Sequence, residues 1–316
     1  MFGYIRFILA YLVLLSHLGI ELAGKNIGVF AVVIFYILAG LVTSKVFIKI
    51  APQNAQISYF VKDRFLRIYP TFFFALILTM LFFWITSYLQ PHFSAKKILL
   101  NALIMPLNYF FWLDVSVIDA PIGLNFLIPP AWSLGAELQA YCLLMLAIKF
   151  RKFGLFLAVI SLIVFMLANL NFIDSDIYGY RTVCGVFFIF YTGFLIYIKD
   201  YKKLVGFYIV MALFLCYLFY NGEFGIFSIE IISGYLLGVL LTLTHEKFRI
   251  KIKFNELLGS LSYSLFICHF LFIWFSKYFF EEQNLALITI SSVTFGLINY
   301  YLIESRINKI RFKQSD

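Results

Sequence analysis

The chain has 316 residues and a formal net charge of +9, with 63% hydrophobic, 21% aromatic and only 13% charged residues. Soluble domains average roughly 45–50% apolar and about 25% charged residues. A mean hydropathy of +0.94 therefore excludes a water-soluble globule, a disordered tail and a nucleic-acid binder, despite the basic balance.

A helix needs about 20 largely apolar residues to cross a bilayer core. Ten stretches qualify, at 4–22, 27–48, 68–89, 131–149, 153–170, 181–198, 204–220, 225–243, 257–279 and 285–303. The expected fold is all-α and polytopic, about ten transmembrane helices in a single transmembrane domain over 1–316 with no appended soluble domain. The first stretch has a polar face (Arg6, Ser16, His17) and is followed at once by a second span, so it reads as a retained helix rather than a signal peptide. Residues 98–113 are shorter and contain Pro106. They read as an interfacial or re-entrant segment, with an eleventh span as the alternative.

The loops set the orientation. With both termini cytoplasmic, all but Lys25, Lys96, Lys97, Arg181 and Lys277 of the 25 basic residues fall on the cytoplasmic side, as the positive-inside rule requires. An eleventh span would invert every later loop and spoil that asymmetry. The longest non-cytoplasmic segment, about 90–130, is long enough for a lid or an acceptor-binding surface. Cys142, Cys184, Cys216 and Cys268 lie in four different apolar stretches, which suits neither a disulfide framework nor a metal site.

Ionisable groups inside a membrane cost at least about 2.5–3.5 kcal/mol each and so point to function. The clear cases are His17, Glu137, Glu230 and His269. Helix rise puts His17 about four residues below the outer end of its span, Glu137 about five, Glu230 about six and His269 about ten. A histidine and two carboxylates can therefore share a layer in the outer half of the membrane. A histidine beside a buried carboxylate is the composition of a general base with an orienting partner. The structural alternative is that each is satisfied by a backbone carbonyl or a tyrosine. Arg64 and Arg67, at the entrance to the third span, are three apart and share a face if helical. Such a pair can clamp a phosphate, or simply mark a cytoplasmic helix end.

Taken together, these residues resemble the acyltransferase-3 family of integral membrane acyltransferases. Arg6 and His17 match its basic residue, ten spacers and histidine. The glycine-and-aromatic second helix ends in Leu38-Ala39-Gly40, with Ala39 in place of the usual serine. Arg64, Arg67, Ile68 and Pro70 match its Arg-x-x-Arg segment, and Trp132-Ser133-Leu134-Gly135-Ala136-Glu137 its Trp-Ser-Leu-x-x-Glu motif. Gly259-Ser260-Leu261-Ser262-Tyr263-Ser264-Leu265 and His269 match a later pattern. The closing Glu-x-Pro-x-x-Arg is degraded to Glu304-Ser305-Arg306-Ile307-Asn308-Lys309, which leaves that segment without an expected role.

The resemblance implies transfer of an acyl group, commonly acetyl, from acyl-CoA to a hydroxyl of a cell-surface carbohydrate or lipid-linked sugar precursor. Lipopolysaccharide, O-antigen and capsule precursors are the natural acceptors, and no cofactor is expected to be permanently bound. By the same resemblance His17 and Glu137 are catalytic, and Arg6, Arg64 and Arg67 bind the CoA. Trp132, Ser133, His269 and Glu230 are the expected substrate-binding residues. The Phe, Ile and Lys bias suggests a bacterial plasma or inner membrane. The rival readings are a transporter or flippase for a lipid-linked saccharide, with Glu230 and His269 relaying protons, and a relative that has lost catalysis.

Overall fold

The structure, a computed structural model, describes residues 2–222, 225–248 and 252–312. Of the basic residues assigned to the cytoplasmic side, Arg249, Lys251 and Lys313 lie outside them. Twelve α-helices are described: α1 (Phe2–His17), α2 (Ile27–Lys45), α3 (Gln56–Thr86), α4 (Ala95–Ala102), α5 (Trp132–Lys149), α6 (Arg151–Asn169), α7 (Val183–Ile198), α8 (Tyr201–Asn221), α9 (Ser228–Phe248), α10 (Asn255–Phe280), α11 (Leu285–Asn299) and α12 (Ser305–Phe312). The chain is an all-α polytopic membrane protein. Among the described residues nine helical segments are long and apolar enough to cross a bilayer, and α1 is a shorter apolar helix. Residues 98–113 form the end of α4 and a 3₁₀ turn at Met105–Tyr109, because Pro106 cannot continue the α4 ladder. That segment is too short to span.

Contacts divide the chain into two compact units. The first comprises the described parts of Leu15–Ile50 and Ala136–Ile252, and the second those of Phe2–Leu14, Ala51–Gly135 and Lys253–Asp316. The two units are interleaved in sequence, and α1 and α5 each contribute to both.

In the first unit α2 and α7 form the centre, with α6 against α7, α9 against α2 and α8 against α9. The α2–α7 crossing is close because both helices present glycine. A Cβ on Gly40 would lie 2.0 Å from the Phe190 carbonyl oxygen, and one on Gly193 2.2 Å from that of Ile37. Without a hydrophobic effect between helices in lipid, such close backbone approach is how they gain dispersion contact. Most of α7 is buried from Gly185 through Ile196, whereas α8 exposes Val205, Ile209, Leu213 and Phe219. Exposed aliphatic and aromatic side chains in a row suit lipid, not water.

In the second unit α10 packs against α11 and α3, and α12 against α3. Here α3 runs unbroken from Gln56 to Thr86 with Pro70 inside it. The expected start near residue 68 is thus too late: Arg64 and Arg67 lie within the helix, not in a loop before it. Pro70 lacks an N–H, and the Tyr263 hydroxyl donates to the nearby Ile68 carbonyl at 2.9 Å. Residues 90–130 fold on the fully buried Asn101. Its Nδ2 donates to the carbonyls of Lys97 and Val115, and its Oδ1 accepts from the Leu127 N–H, each at 2.9 Å.

Candidate active site

The first unit holds His17, Glu137 and Glu230. α1 ends at His17 itself, since Leu18 N–H and Ile20 N–H both donate to the Leu15 carbonyl at 3.1 Å and Gly19 takes φ +79°. A left-handed glycine just past a helix is its ordinary stop. His17 is therefore the last residue of its helix and half-buried, not four residues inside a longer span. The preceding side chain, Ser16, lies against α2, where a Cβ on Gly28 would overlap its hydroxyl.

Two residues before Gly28, Asn26 caps α2 by accepting from the N–H groups of Gly28 (2.9 Å) and Val29 (3.0 Å). The Asn26 N–H in turn donates to Glu230 Oε1 at 3.1 Å. Glu230 sits in the first turn of α9, nearer its helix end than the six residues expected. It is buried, and its Oε2 has no hydrogen-bond partner among the described residues. The end of α1 and the start of α9 thus meet the same few residues at the start of α2.

Glu137 stands on the second turn of α5, where Tyr141, one turn on, donates to its Oε1. Tyr36, buried in α2 and stacked on Phe190 at 4.4 Å, lies within electrostatic reach of Glu137, Tyr180 and Arg181. Tyr180 reaches Glu230 as well. The Arg181 guanidinium Nε is 2.9 Å from both carboxylate oxygens of Asp176. Tyr180 and Arg181 stand on a π-helical turn, Ile177–Arg181, an irregularity frequent at functional sites. Sequence reasoning missed Tyr36, Tyr141 and Tyr180. Nothing separates them among 21 tyrosines until packing puts them beside a carboxylate. Three carboxylates, one of them paired with the arginine, and three phenols can match a polyol's hydroxyls in both donor and acceptor sense.

The second unit holds Arg6, Arg64, Arg67, Trp132, Ser133 and His269. The first turn of α1 is anchored there: the Gly3 N–H donates to Asn255 Oδ1 at 2.9 Å and the Tyr4 hydroxyl to the Lys253 carbonyl at 2.8 Å. Arg64 is buried, its Nε 3.0 Å from Asp63 Oδ2, and Arg67 pairs with Glu304 while reaching the Gly259 carbonyl at 3.4 Å. Glu304, on the π-helical turn Tyr300–Glu304, belongs to the degraded closing motif. That segment does have a role, as the counter-charge of Arg67.

Ser133 Oγ donates to the Pro130 carbonyl at 2.9 Å, stopping the turn that leads into α5. Gly135 allows the 3₁₀ turn to approach, since a Cβ there would lie 2.9 Å from Asn108 Cβ. So the tryptophan-to-glutamate motif is partly architecture. His269 is fully buried in mid-α10, with Nδ1 3.1 Å from the Leu265 carbonyl. A carbonyl only accepts, so the His269 Nδ1–H is the donor of this bond. The expected layer thus brings His17, Glu137 and Glu230 into one unit, while His269 belongs to the other. In the ordered segment before α5, Lys97 Nζ is 3.0 Å from Asp114. The Ser116 hydroxyl and then Lys97 hold the Asp114 carboxyl down to about 2. Cys142, Cys184 and Cys216 are exposed and Cys268 is buried.

A family profile described as an acyltransferase domain matches residues 2–303. A protein of Aquifex aeolicus (strain VF5), named only as uncharacterized, is 40% identical over 200 residues, covering 58% of this chain and 90% of that protein. No solved structure matches. With nearly its whole length matched and the helices in place, the chain belongs to the acyltransferase-3 family of membrane acyltransferases.

Proposed function

We propose that this acyltransferase moves an acyl group, acetyl by family default, from acyl-CoA to a hydroxyl of a cell-surface carbohydrate or lipid-linked sugar precursor at a bacterial plasma membrane. The observation that carries the reading is the polar cluster of the first unit. There His17 ends its helix beside the start of α2, Glu230 accepts from the Asn26 N–H, Tyr36 lies within electrostatic reach of Glu137, and Tyr180 within that of Glu230. In apolar surroundings such groups are costly unless they serve a substrate.

His17 takes the proton of the acceptor hydroxyl as that oxygen attacks the thioester carbonyl. The carbon–sulfur bond breaks, and the proton passes to the leaving thiolate, yielding the ester and free CoA. Glu137 orients the imidazole and stabilises its cationic form. Glu230, Trp132, Ser133 and His269 contribute to acceptor binding, and Arg6, Arg64 and Arg67 hold the anionic nucleotide end of the donor. The long, thin pantetheine arm carries the thioester toward mid-membrane. No cysteine falls in a motif, which favours direct transfer. The distribution of basic residues over the loops supports both termini lying in the cytoplasm, where acyl-CoA is made.

The test is release of CoA from acetyl-CoA by the purified protein supplied with membrane glycolipid extract. Wild type should release CoA only with extract. His17→Ala should lose roughly 10²–10⁴-fold of the rate, the range for a positioned general base. A folded wild type that releases none over several extracts and acyl lengths, yet shows counterflow of a labelled sugar lipid, would establish the transporter instead.

A further inference from the structure

We propose that residues 95–113 re-enter the bilayer, with Leu99, Leu103 and Met105 turned to lipid hydrocarbon, and that they seat the start of α5 inside the membrane instead of at its rim. The depth stands on the packing of the second unit alone. Its bearing on catalysis rests on the reading above, in which Trp132 and Ser133 contribute to acceptor binding.

One hydrogen bond sets the depth. The Tyr69 hydroxyl donates to the Leu103 carbonyl at 2.9 Å, and Phe65 and Phe73 flank the phenol ring, with centroids 4.6 and 5.4 Å away. Tyr69 stands seventeen residues before Thr86, the last residue of α3, which is about 26 Å along the helix axis. A bilayer core is about 30 Å thick. Less the length of one side chain, the turn at Leu103 therefore lies well inside the span, not level with its Thr86 end. The charged groups stand outward. Lys97, paired with Asp114 at 3.0 Å, precedes Leu103 by six residues, about 9 Å along α4.

The chemistry of the turn suits that depth. Irregular backbone is tolerated inside a bilayer only where the protein covers it and satisfies its polar groups. Ile104, Leu107 and Asn108 are fully buried, the Leu107 N–H donates to the Ile104 carbonyl at 2.9 Å, and the Asn101 amide is closed by Lys97, Val115 and Leu127. The side chains that the turn exposes are apolar: Leu99 and Leu103, four apart and so on one face, and Met105. The spanning α3 exposes Ile77, Leu81 and Ile85 in the same manner. A Cβ on Gly135 would lie 3.0 Å from the Ile104 carbonyl oxygen, so the first turn of α5 rests on the tip of the segment. Trp132 and Ser133 then meet an acceptor within the bilayer, toward the depth that the pantetheine arm reaches.

The test is a depth measurement on the full chain in lipid bilayers, after the exposed Cys142, Cys184 and Cys216 are changed to serine. A nitroxide is placed on Leu103→Cys or Met105→Cys, and its depth is read from collisions with oxygen against those with a water-soluble nickel chelate. Labels on Ile77→Cys, Leu81→Cys and Ile85→Cys give a ruler along α3. Both turn positions should read at least as deep as Leu81, which lies about 6 Å further in than Ile85. A reading at or above the level of Ile85 would put the segment on the membrane surface and overturn the inference. If one variant fails to fold, the other decides. The measurement needs no turnover. A shallow label would leave the acyltransferase reading intact, and a protein that releases no CoA would leave the depth intact while removing its bearing on catalysis.

Discussion

The buried glutamates Glu230 and Glu304, one in each unit, have different partners. In the second, carboxylate meets guanidinium: Asp63 with Arg64 and Arg311, Glu304 with Arg67. In the first, Glu230 accepts from a backbone N–H and Glu137 from a tyrosine hydroxyl, while Asp176 there also meets a guanidinium, that of Arg181. A carboxylate with a charged partner is neutralised in the resting protein and serves structure. Glu230, held by a backbone N–H, keeps its charge available to a substrate. The same residue type therefore has two physical meanings in one chain, and the partner decides which.

Substituting the same residue type in each unit puts that contrast to the test. The largest effect is expected from Glu304→Gln, which leaves Arg67 without its counter-charge. Since Arg67 keeps 21% of its side chain exposed, the loss is on the order of 2 kcal/mol, below the cost of breaking a fully buried pair. A thermal-shift measurement in detergent should show the melting temperature falling by roughly 5 °C; no change would mean that the pair is not structural. Glu230→Gln should leave the melting temperature almost untouched, because an amide oxygen can still accept from the Asn26 N–H. It should lower acyl-transfer turnover about tenfold, one lost charged contact. A destabilised but fully active Glu230→Gln would erase the distinction between the units.

The smallest effect concerns Asp114, whose carboxyl the Ser116 hydroxyl and Lys97 hold down to about 2. A carboxylate depressed in the folded state stabilises it above the unfolded value near 4, and that contribution fades as pH falls toward about 2. Asp114→Asn should therefore modestly raise amide hydrogen exchange over 94–118 at neutral pH. The difference from wild type should vanish by about pH 2. Because the group is largely exposed, a large effect would mean that the segment depends on Asp114 more than these contacts allow.

Much of this was legible before folding. Nine of the ten expected spans correspond to helices that can cross a bilayer, since length and apolarity in lipid leave the backbone little alternative to a helix. His17, Glu137 and Glu230 stood out because charge is costly there. The exact ends were not legible. α1 stops at His17 because Gly19 turns left-handed, and α3 begins twelve residues before the expected 68 because polar Gln56–Arg67 extends a helix past its apolar stretch. Asp63 and Arg311 were hidden for a related reason. Each reads alone as a surface charge, and only the packing of α12 on α3 joins them.

The sequence by itself determined the class of protein, the place and order of nine membrane-spanning helices and the family, all consequences of apolar length and local spacing. The tertiary structure alone decided which charges face each other. Glu304 became the partner of Arg67 across 237 positions and Glu230 that of Asn26 across 204. Such pairings depend on helix contacts that no local pattern encodes, because electrostatic energy follows distance in space rather than separation along the chain.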